Sequence, residues 1–347
     1  MKTTHYIRYS NAKAMDTIDN ETVDLVVTSP PYPMIAMWDN GFSGEDPLIA
    51  SALESGDGDT AFERMHRQLD AVWQEVYRIL KPGGIACINI GDATRSIGDR
   101  FRLFPNHSRV LSFMISLGFV DLPAILWRKP TNAPTKFMGS GMLPPGAYVT
   151  IEHEYILILR KGDRRRFVTR AEKERRRESA FFWEERNQWF SDVWLELKGA
   201  GQAMTSGGKR QRSAAYPFEL PYRLISMFSV KEDLVVDPFL GTGSTVIAAM
   251  TAARNSIGYE SDPSLKAVIA RYLAVSPEDL NQHIHHRLQA HFEFVQNNTG
   301  LTHRSRHYGF PVKTRQETRI FLNPLLSVEL AASDGWVVRY ETPPELP

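Results

Sequence analysis

A short apolar stretch near the amino terminus ends in two prolines, and this junction constrains the fold more than any other feature. Leu25, Val26 and Val27 predict a buried parallel strand, because such strands are continuous runs of apolar, β-branched residues. Pro30 and Pro31 stop the strand, since neither can donate to a sheet and each fixes its own φ. The sequence therefore predicts a stiff turn at the carboxyl end of a strand, where open α/β sheets place their ligands.

The side chains of this turn suit a planar ligand that carries an amino group. The prolines remove backbone donors, so carbonyl acceptors dominate, and Ser29 adds a hydroxyl that accepts or donates. Tyr32 adds a flat ring for stacking. Such a pocket fits a cytosine or adenine extruded from a duplex. Taken alone, these residues are also compatible with a proline-rich turn that has no catalytic role.

Predicted strands and helices alternate on both sides of a basic segment. Before that segment we predict helices and strands at 61–80, 85–90, 108–117, 124–127 and 155–159, the last two being a possible antiparallel pair. After it the predicted elements lie at 217–228, 234–237, 244–253, 256–260 and 263–273. This alternation predicts an α/β fold with one doubly wound, mostly parallel sheet and an insertion.

A second turn, between a strand and a helix, has the glycines of a cofactor-binding loop. Gly241 and Gly243 permit a tight turn beside the N–H groups that begin the next helix. Glu260 ends the following strand, where an acidic residue commonly binds ribose hydroxyls. We therefore expect an adenosine-bearing ligand. Val246 replaces the third glycine of a dinucleotide fingerprint and no P-loop lysine follows, although an NAD-type site or a ligand-free turn stays open.

Together the two turns resemble the motifs of the amino-group DNA methyltransferases. Residues 28–32 resemble the catalytic motif, and the Asp-Pro-Phe sequence at 237–239 resembles the start of the S-adenosylmethionine loop. Their order is that of the circularly permuted β group, and the resemblance covers roughly residues 20–275. Further similarity lies at 81–84, at 127–130 with 152–156, and at 215–221. The last segment departs from the family, which often has His-Pro where this chain has Ser213, Ala214 and Ala215.

The resemblance implies a Rossmann-like methyltransferase that uses S-adenosylmethionine and methylates a flipped base in double-stranded DNA. A cognate restriction endonuclease is the implied functional partner. The implied catalytic residues are Ser29, Pro30, Pro31 and Tyr32. The implied cofactor-binding residues are Thr28, Phe218, Asp237, Pro238, Phe239, Gly241, Thr242, Gly243, Ser244 and Glu260.

The first residue of the catalytic motif indicates the target base. Ser29 resembles the cytosine-N4 members, whereas aspartate there marks most adenine-N6 members. We therefore predict a DNA (cytosine-N4)-methyltransferase. The adenine-N6 enzyme is the alternative, and a catalytically silent nucleic-acid-binding protein is a more distant one.

Four segments follow from this interpretation. Residues 1–160 and 214–275 are the catalytic and cofactor-binding halves of one domain, residues 161–213 are an inserted target-recognition region, and residues 276–347 are an extension without an assigned role. The alternative for the basic insertion is a solvated helix face. Its place between the two halves instead predicts DNA contacts by Arg164, Arg165, Arg166, Arg170, Lys209, Arg210 and Arg212.

Composition limits the remaining possibilities. The net charge is +1, from 41 basic and 40 acidic residues, so a DNA-binding surface must be local. Cys87 lies in an apolar run and predicts a buried thiol in a reducing compartment. We see neither a signal peptide nor a membrane-spanning run and expect a cytoplasmic protein without a membrane partner. No cysteine accompanies the histidines between 283 and 291, so we expect no metal.

Overall fold

A computed structural model describes residues 1–98, 100–129, 138–197, 216–331 and 335–343. The strands in these ranges are β1 (Lys2–Arg8), β2 (Val23–Thr28), β3 (Leu80–Ile90), β4 (Ala93–Ile97), β5 (Arg100–Phe104), β6 (Phe119–Arg128), β7 (Met138–Gly139), β8 (Ala147–Tyr148), β9 (His153–Lys161), β10 (Val193–Trp194), β11 (Leu234–Asp237), β12 (Asn255–Tyr259), β13 (His303–Arg304), β14 (Pro311–Val312), β15 (Leu325–Ala331) and β16 (Gly335–Tyr340).

The α-helices in the same ranges are α1 (Asp39–Glu45), α2 (Leu48–Glu54), α3 (Gly58–Ile79), α4 (Asn106–Ser116), α5 (Arg170–Glu178), α6 (Trp183–Trp189), α7 (Glu219–Phe228), α8 (Ser244–Thr251), α9 (Lys266–Leu273) and α10 (Pro277–Gln296). Short 3-10 helices lie at Ala36–Trp38, Pro263–Leu265 and Arg315–Arg319.

One mixed sheet organises the described part of the molecule. Its ten strands follow the order β10-β6-β9-β3-β2-β11-β12-β1-β16-β15. The central run from β3 through β2, β11 and β12 to β1 is parallel, while β9 and the β15–β16 hairpin are antiparallel to their neighbours. The predicted α/β class with a mostly parallel central sheet is therefore confirmed.

The register of the sheet brings the two predicted turns to one edge. Val235 and Val236 of β11 pair in parallel with Leu25 and Val26 of β2, so the two strands are direct neighbours. All six residues of β2 are buried, as a strand covered on both faces must be. The proline-containing turn and the glycine turn both follow the carboxyl ends of these strands, and they meet although they lie some 200 residues apart in the chain.

Helices cover both faces of the sheet. Helix α3 begins where the Asp57 side chain accepts the N–H of Thr60 at 3.0 Å, which caps one of the unpaired donors of its first turn. Its apolar residues recur every three to four positions and are buried against β2 and β3. Helices α7 and α8 pack on the other face, in a second cluster with Leu25 and Val27.

Most predicted elements are present, with shifted ends. The antiparallel pair predicted at 124–127 and 155–159 is confirmed by the pairing of β6 with β9. Helix α3 ends at Ile79, Leu80 is already extended, and Gly83 takes φ +87° inside β3. The region 34–60 contains α1 and α2, whose buried Phe42 and Ile49 join the core.

The carboxyl-terminal extension belongs to the same sheet. Strand β16 pairs with β1, and β15 pairs with β16, so residues beyond 324 add two strands to one end of the sheet. Helix α10 contacts α6, a helix of the predicted insertion, through Arg287, which donates from two nitrogens to the Glu185 carboxylate. None of the described helices combines the length and apolar composition needed to cross a bilayer.

Candidate active site

The proline-containing turn presents a serine hydroxyl at the carboxyl edge of the sheet. Thr28, the last residue of β2, and Pro30 are buried. Ser29, Pro31 and Tyr32 are half-buried. Ser29 Oγ lies 3.0 Å from Tyr32 Oη. The turn thus positions a hydroxyl and a phenol side by side.

Three polar side chains surround the Tyr32 hydroxyl. It donates to Glu154 Oε2 at 2.9 Å and accepts from Asn89 Nδ2 at 2.8 Å. Asn89 Nδ2 also donates to Glu154 Oε2 at 2.7 Å, and Lys129 Nζ donates to Glu154 Oε1 at 3.0 Å. Burial and then the negative charge of Glu154 raise the pKa of Tyr32 well above its usual value. The phenol is therefore protonated at neutral pH.

Close backbone approach at Gly91 makes room for this arrangement. An ideal Cβ at Gly91 would lie 3.0 Å from Tyr32 Cε2 and 3.3 Å from Glu154 Cγ, so only glycine fits without displacing one of them. Residue 91 directly follows β3 on the sheet edge that carries Ser29. The ring of Tyr32 is thus packed against the end of β3.

Asn106 fastens the segment that follows Tyr32. Its Nδ2 donates to the carbonyl of Pro33 at 3.0 Å and to that of Gly91 at 2.9 Å. Its Oδ1 therefore accepts, and the Nε2–H of His66 is the donor at 3.0 Å. Burial lowers the pKa of His66 to about 3, which keeps this imidazole neutral. The proline-containing turn is held by fully buried groups that do not change charge near neutral pH.

Asp237 joins the two turns directly. Its Oδ1 accepts from Thr28 Oγ1 at 2.6 Å and from the N–H of Phe239 at 3.0 Å. Its Oδ2 accepts from Thr245 Oγ1 at 2.5 Å and from Tyr216 Oη at 3.2 Å. Burial raises the pKa of Asp237, and these hydrogen bonds oppose that rise. A carboxylate has about four lone-pair sites, so these four bonds use the Asp237 side chain to connect the loops. The contact of Thr28 and Asp237 with the cofactor stays a prediction.

The glycine turn has the geometry of a ligand-binding loop. Gly241 and Gly243 have φ of +57° and +101°, the left-handed region that favours glycine, and Gly243 immediately precedes α8. An ideal Cβ at Gly241 meets no atom within 4 Å, so there is space beside the loop. The first N–H groups of α8 have no partner within the helix and suit a carboxylate. These donors and this space fit the amino-acid end of S-adenosylmethionine.

The other predicted cofactor residues surround this loop. The Glu260 carboxylate accepts the N–H groups of Gly241 at 2.9 Å and Asp262 at 2.8 Å, which fixes its orientation at the end of β12. Phe239 is half-buried and contacts Trp73 edge to face, with ring centroids 5.8 Å apart. Phe218 stacks on His283 at 3.8 Å. Pro238 and Ser244 are buried, and Thr242 is half-buried in the same turn.

The predicted DNA-binding arginines that the structure describes, between residues 164 and 170, lie away from this edge. Arg165 binds Asp233 at 2.6 Å and Asp24 at 3.3 Å, two carboxylates at the amino ends of β11 and β2. Asp24 and Ser29 are five residue steps apart along an extended chain, which corresponds to about 16 Å. Arg164, Arg166 and Arg170 are exposed near Arg165 in the chain. The structure thus does not bring this group to the catalytic turn, and Lys209, Arg210 and Arg212 lie outside the described residues.

An open cavity of about 740 Å³ does lie at the sheet edge that carries Ser29. Asp92, which directly follows Gly91 after β3, lines it together with Tyr155, Arg102 and Arg128. Asp92 binds the Nδ1 of His107 at 2.8 Å, and the His107 ring stacks on Tyr155 at 3.8 Å. Phe101 and Tyr148 stack at 4.7 Å in the same cavity wall.

Sequence reasoning missed the three residues that contact the Tyr32 hydroxyl group or its partner. Lys129 and Glu154 lie in segments noted only for family resemblance. Asn89 had a usable signal, because it is the polar residue of the apolar strand 85–90. It is 2% exposed, and a buried amide in a strand core usually has specific partners. No group of three or more potential metal ligands occurs among the described residues.

The chain is similar to known DNA methyltransferases over most of its length. The profile of a DNA methylase family, N6/N4 type, matches residues 23–271. Type II methyltransferase M.MthZI of Methanothermobacter thermautotrophicus is 52% identical over 93% of this chain and 91% of its own length. Type II methyltransferase M.MjaI of Methanocaldococcus jannaschii is 50% identical over 79% of this chain and 92% of its own.

A solved structure with a bound cofactor is also similar. TTHA0409 of Thermus thermophilus, a putative DNA modification methylase in complex with S-adenosyl-L-methionine, superimposes with a TM-score of 0.60 at 31% identity. The match covers 77% of this chain and 93% of TTHA0409. The similarity therefore extends well beyond the two turns.

Proposed function

Since this chain belongs to the N6/N4 amino-group DNA methylase family, we propose that it is the methyltransferase of a type II restriction–modification pair. Two of its relatives, both named type II methyltransferases, match it over more than nine-tenths of their own length. The methylated DNA would thereby resist a cognate endonuclease. The observation that carries the proposal is the hydrogen bond of Thr28 to Asp237, which holds the serine turn against the glycine turn.

The methyl donor is S-adenosylmethionine, the molecule bound by TTHA0409. It supplies a methyl group on a positively charged sulfur, which is electrophilic without any metal. The turn from Gly241 to Gly243, the start of α8 and Glu260 are the residues that would hold it. Pro238, Phe239, Thr242, Ser244 and Phe218 would complete the surroundings.

The chemistry required of the protein is positioning. The lone pair of a nucleobase amino group is delocalised into the ring, so the nitrogen is a poor nucleophile. Ser29 Oγ and the Pro30 carbonyl would accept its two hydrogens and turn the lone pair toward the methyl group. Pro31 keeps the turn stiff, and the ring of Tyr32 would stack on the extruded base. Fixed orientation and preorganised acceptors then account for most of the rate.

We propose cytosine N4 as the target, because a serine rather than an aspartate begins the motif. Adenine N6 is the second candidate. Genomic DNA from a host without this enzyme, methylated with labelled cofactor and digested to nucleosides, distinguishes them. Labelled N4-methyldeoxycytidine is the expected product, whereas labelled N6-methyldeoxyadenosine would transfer the assignment to the second candidate. Cofactor binding without any labelled nucleoside would contradict an active enzyme.

The duplex would lie over the 740 Å³ cavity rather than over Arg165. The cavity shares an edge with Ser29, and it combines the Phe101–Tyr148 stack with the guanidinium groups of Arg102 and Arg128. These pair with the carboxylates of Asp59 and Glu152 at exposed positions and would exchange them for DNA phosphates. Nucleic-acid sites often combine aromatic surfaces with arginines in this way. The division into catalytic, inserted and cofactor-binding segments remains part of the proposal, with the insertion contributing β10 to the cavity wall.

A further inference from the structure

The hydrogen bonds around Tyr32 have a fixed direction, which can be followed from donor to acceptor. Glu154 is the starting point, because a carboxylate accepts hydrogen bonds and donates none. It lies on β9 with a 13% exposed side chain, and Lys129 supplies the neighbouring positive charge at 3.0 Å. Tyr32 has a single hydroxyl hydrogen and directs it to Glu154 Oε2 at 2.9 Å.

The hydrogen bond from Tyr32 to Glu154 determines the direction in which the Ser29 hydroxyl hydrogen points. Tyr32 Oη can only accept from its other neighbours once its hydrogen is used. Asn89 Nδ2 donates to it at 2.8 Å, and Ser29 Oγ lies 3.0 Å away. The Ser29 hydroxyl is therefore the donor in this pair, and its own hydrogen points at Tyr32. Ser29 Oγ then has only lone pairs available and can only accept a further hydrogen bond.

Asn89 supports the same direction. Reversing its amide would place Oδ1 about where Nδ2 lies, 2.7 Å from a Glu154 oxygen, and two acceptors would then face each other. In the orientation observed, Asn89 Oδ1 is buried without a hydrogen-bond partner among the described residues. A buried unpaired carbonyl costs about 1–3 kcal/mol. The two hydrogen bonds that Asn89 Nδ2 donates, to Glu154 and to Tyr32, offset this cost.

We propose that Glu154 is a positioning residue that makes Ser29 an obligate hydrogen-bond acceptor, acting through the Tyr32 hydroxyl. This inference rests on the proposed function, in which Ser29 accepts from the amino group of the target base. An amino group donates to such an oxygen, whereas the carbonyl at the corresponding position of thymine or guanine would face its lone pairs. Glu154 thus selects amino-bearing bases without touching them.

Replacement of Glu154 tests this direction. In E154M the Tyr32 hydroxyl loses its carboxylate acceptor and turns to Ser29, which must then direct its own hydrogen into the site. We expect kcat to fall about 10- to 100-fold, the cost of one misdirected hydrogen bond, with little change in KM for DNA. E154Q retains one acceptor and should keep more activity than E154M. The control is E329Q, on β15 at the other end of the sheet, where Glu329 pairs with Arg339 on the exposed surface.

A double-mutant cycle separates direction from mere packing. Because Glu154 acts through Ser29, E154M should cost at most about twofold more in an S29A background. Initial rates with labelled cofactor on unmethylated genomic DNA give the four values, and thermal unfolding and cofactor binding check the fold. Wild-type activity of E154M, or a loss that multiplies fully with that of S29A, overturns the inference. Wild-type activity of S29A would instead remove the proposed role of Ser29, and this inference with it.

A second cycle applies if E154M does not fold. Y32F keeps the aromatic ring and removes only the hydroxyl that links Glu154 to Ser29. E154Q should then have little effect in the Y32F background, although it lowers kcat in the wild type. The same loss in both backgrounds shows that Glu154 acts without Tyr32 and overturns the inference.

Discussion

At the scale of single residues, the most informative contact is that of Thr28 with Asp237. The T28V variant keeps the shape of the side chain and removes the hydroxyl that donates to Asp237 Oδ1. A hydrogen bond to a buried charged group contributes about 1.5–3 kcal/mol, so we expect a free energy of unfolding lower by that amount and weaker cofactor binding. Urea unfolding and calorimetric titration with S-adenosylmethionine measure the two effects.

Thr22 provides the matched control for T28V. Its hydroxyl donates to the Asp19 carbonyl in an exposed turn at the start of the same strand region. T22V should therefore leave the unfolding free energy and the cofactor affinity near their wild-type values. Equal effects of the two substitutions would contradict a specific role for the bond between the turns.

The sequence predicted where the two turns lie better than it predicted which distant side chains contact them. The prolines and glycines mark turns by their own backbone restrictions, so the turns that carry Ser29, Tyr32, Gly241 and Gly243 were predicted from the sequence. The functional role of these residues stays a prediction. Glu154 could not be found that way, because it lies 122 residues from Tyr32 and meets it only through strand pairing. Register between strands is set by the whole sheet rather than by local sequence.

At the scale of elements, the first strand was missed for a physical reason. β1 buries Thr3, His5 and Ile7, and two of these are polar, so the apolar alternation that marks a strand is weak. His5 Nε2 bonds Thr3, and its Nδ1 bonds Ser256 of β12 at 2.8 Å, which satisfies the buried ring. Burial lowers the pKa of His5 to about 3 and keeps it neutral. Such pairing is visible only when the strands are neighbours.

Two pairs of arginines test which element meets DNA. R102Q with R128Q changes the cavity wall, and R164Q with R166Q changes the exposed segment near the amino ends of the strands. If the first pair contacts phosphates, the slope of log Kd against log salt should fall by about one per contact. We expect the second pair to leave the slope unchanged. Fluorescence anisotropy with a labelled duplex, at several salt concentrations, measures the slope for each double variant. A lower slope for R164Q with R166Q, and an unchanged one for R102Q with R128Q, would instead indicate that the insertion contacts DNA.

At the scale of the whole molecule, the carboxyl-terminal extension and the insertion stabilise each other. Arg287 of α10 binds Glu185 of α6 in a buried, two-pronged pair and also reaches the Tyr222 hydroxyl at 3.1 Å. Removing one member leaves a buried charge unpaired, so R287M should lower the free energy of unfolding by about 3–5 kcal/mol. Urea unfolding measures this, with R271M on the exposed face of α9 as the control. A loss no larger than that of R271M would contradict a structural role for the pair.

The same junction gives stability a pH dependence. Burial lowers the pKa of His291, but the hydrogen bond and charge of Glu184 at 2.7 Å outweigh it and raise the pKa above 6.5. A raised folded-state pKa contributes stability that is complete below about 6.5 and is lost as pH rises through the folded value. H291Q should therefore cost more at about pH 5.5 than at about pH 9. Urea titrations at both values check this, and a cost that does not vary with pH would contradict the ion pair.

The contact between Asp237 and Thr28 has a consequence for how ligands influence each other. A molecule that orders the glycine turn also restrains Thr28, and with it the start of the turn that carries Ser29. Thermodynamic reciprocity then requires that the cofactor and the extruded base raise each other's affinity by one common factor. The active site would thus respond to its two substrates cooperatively, through the single carboxylate that links the two turns.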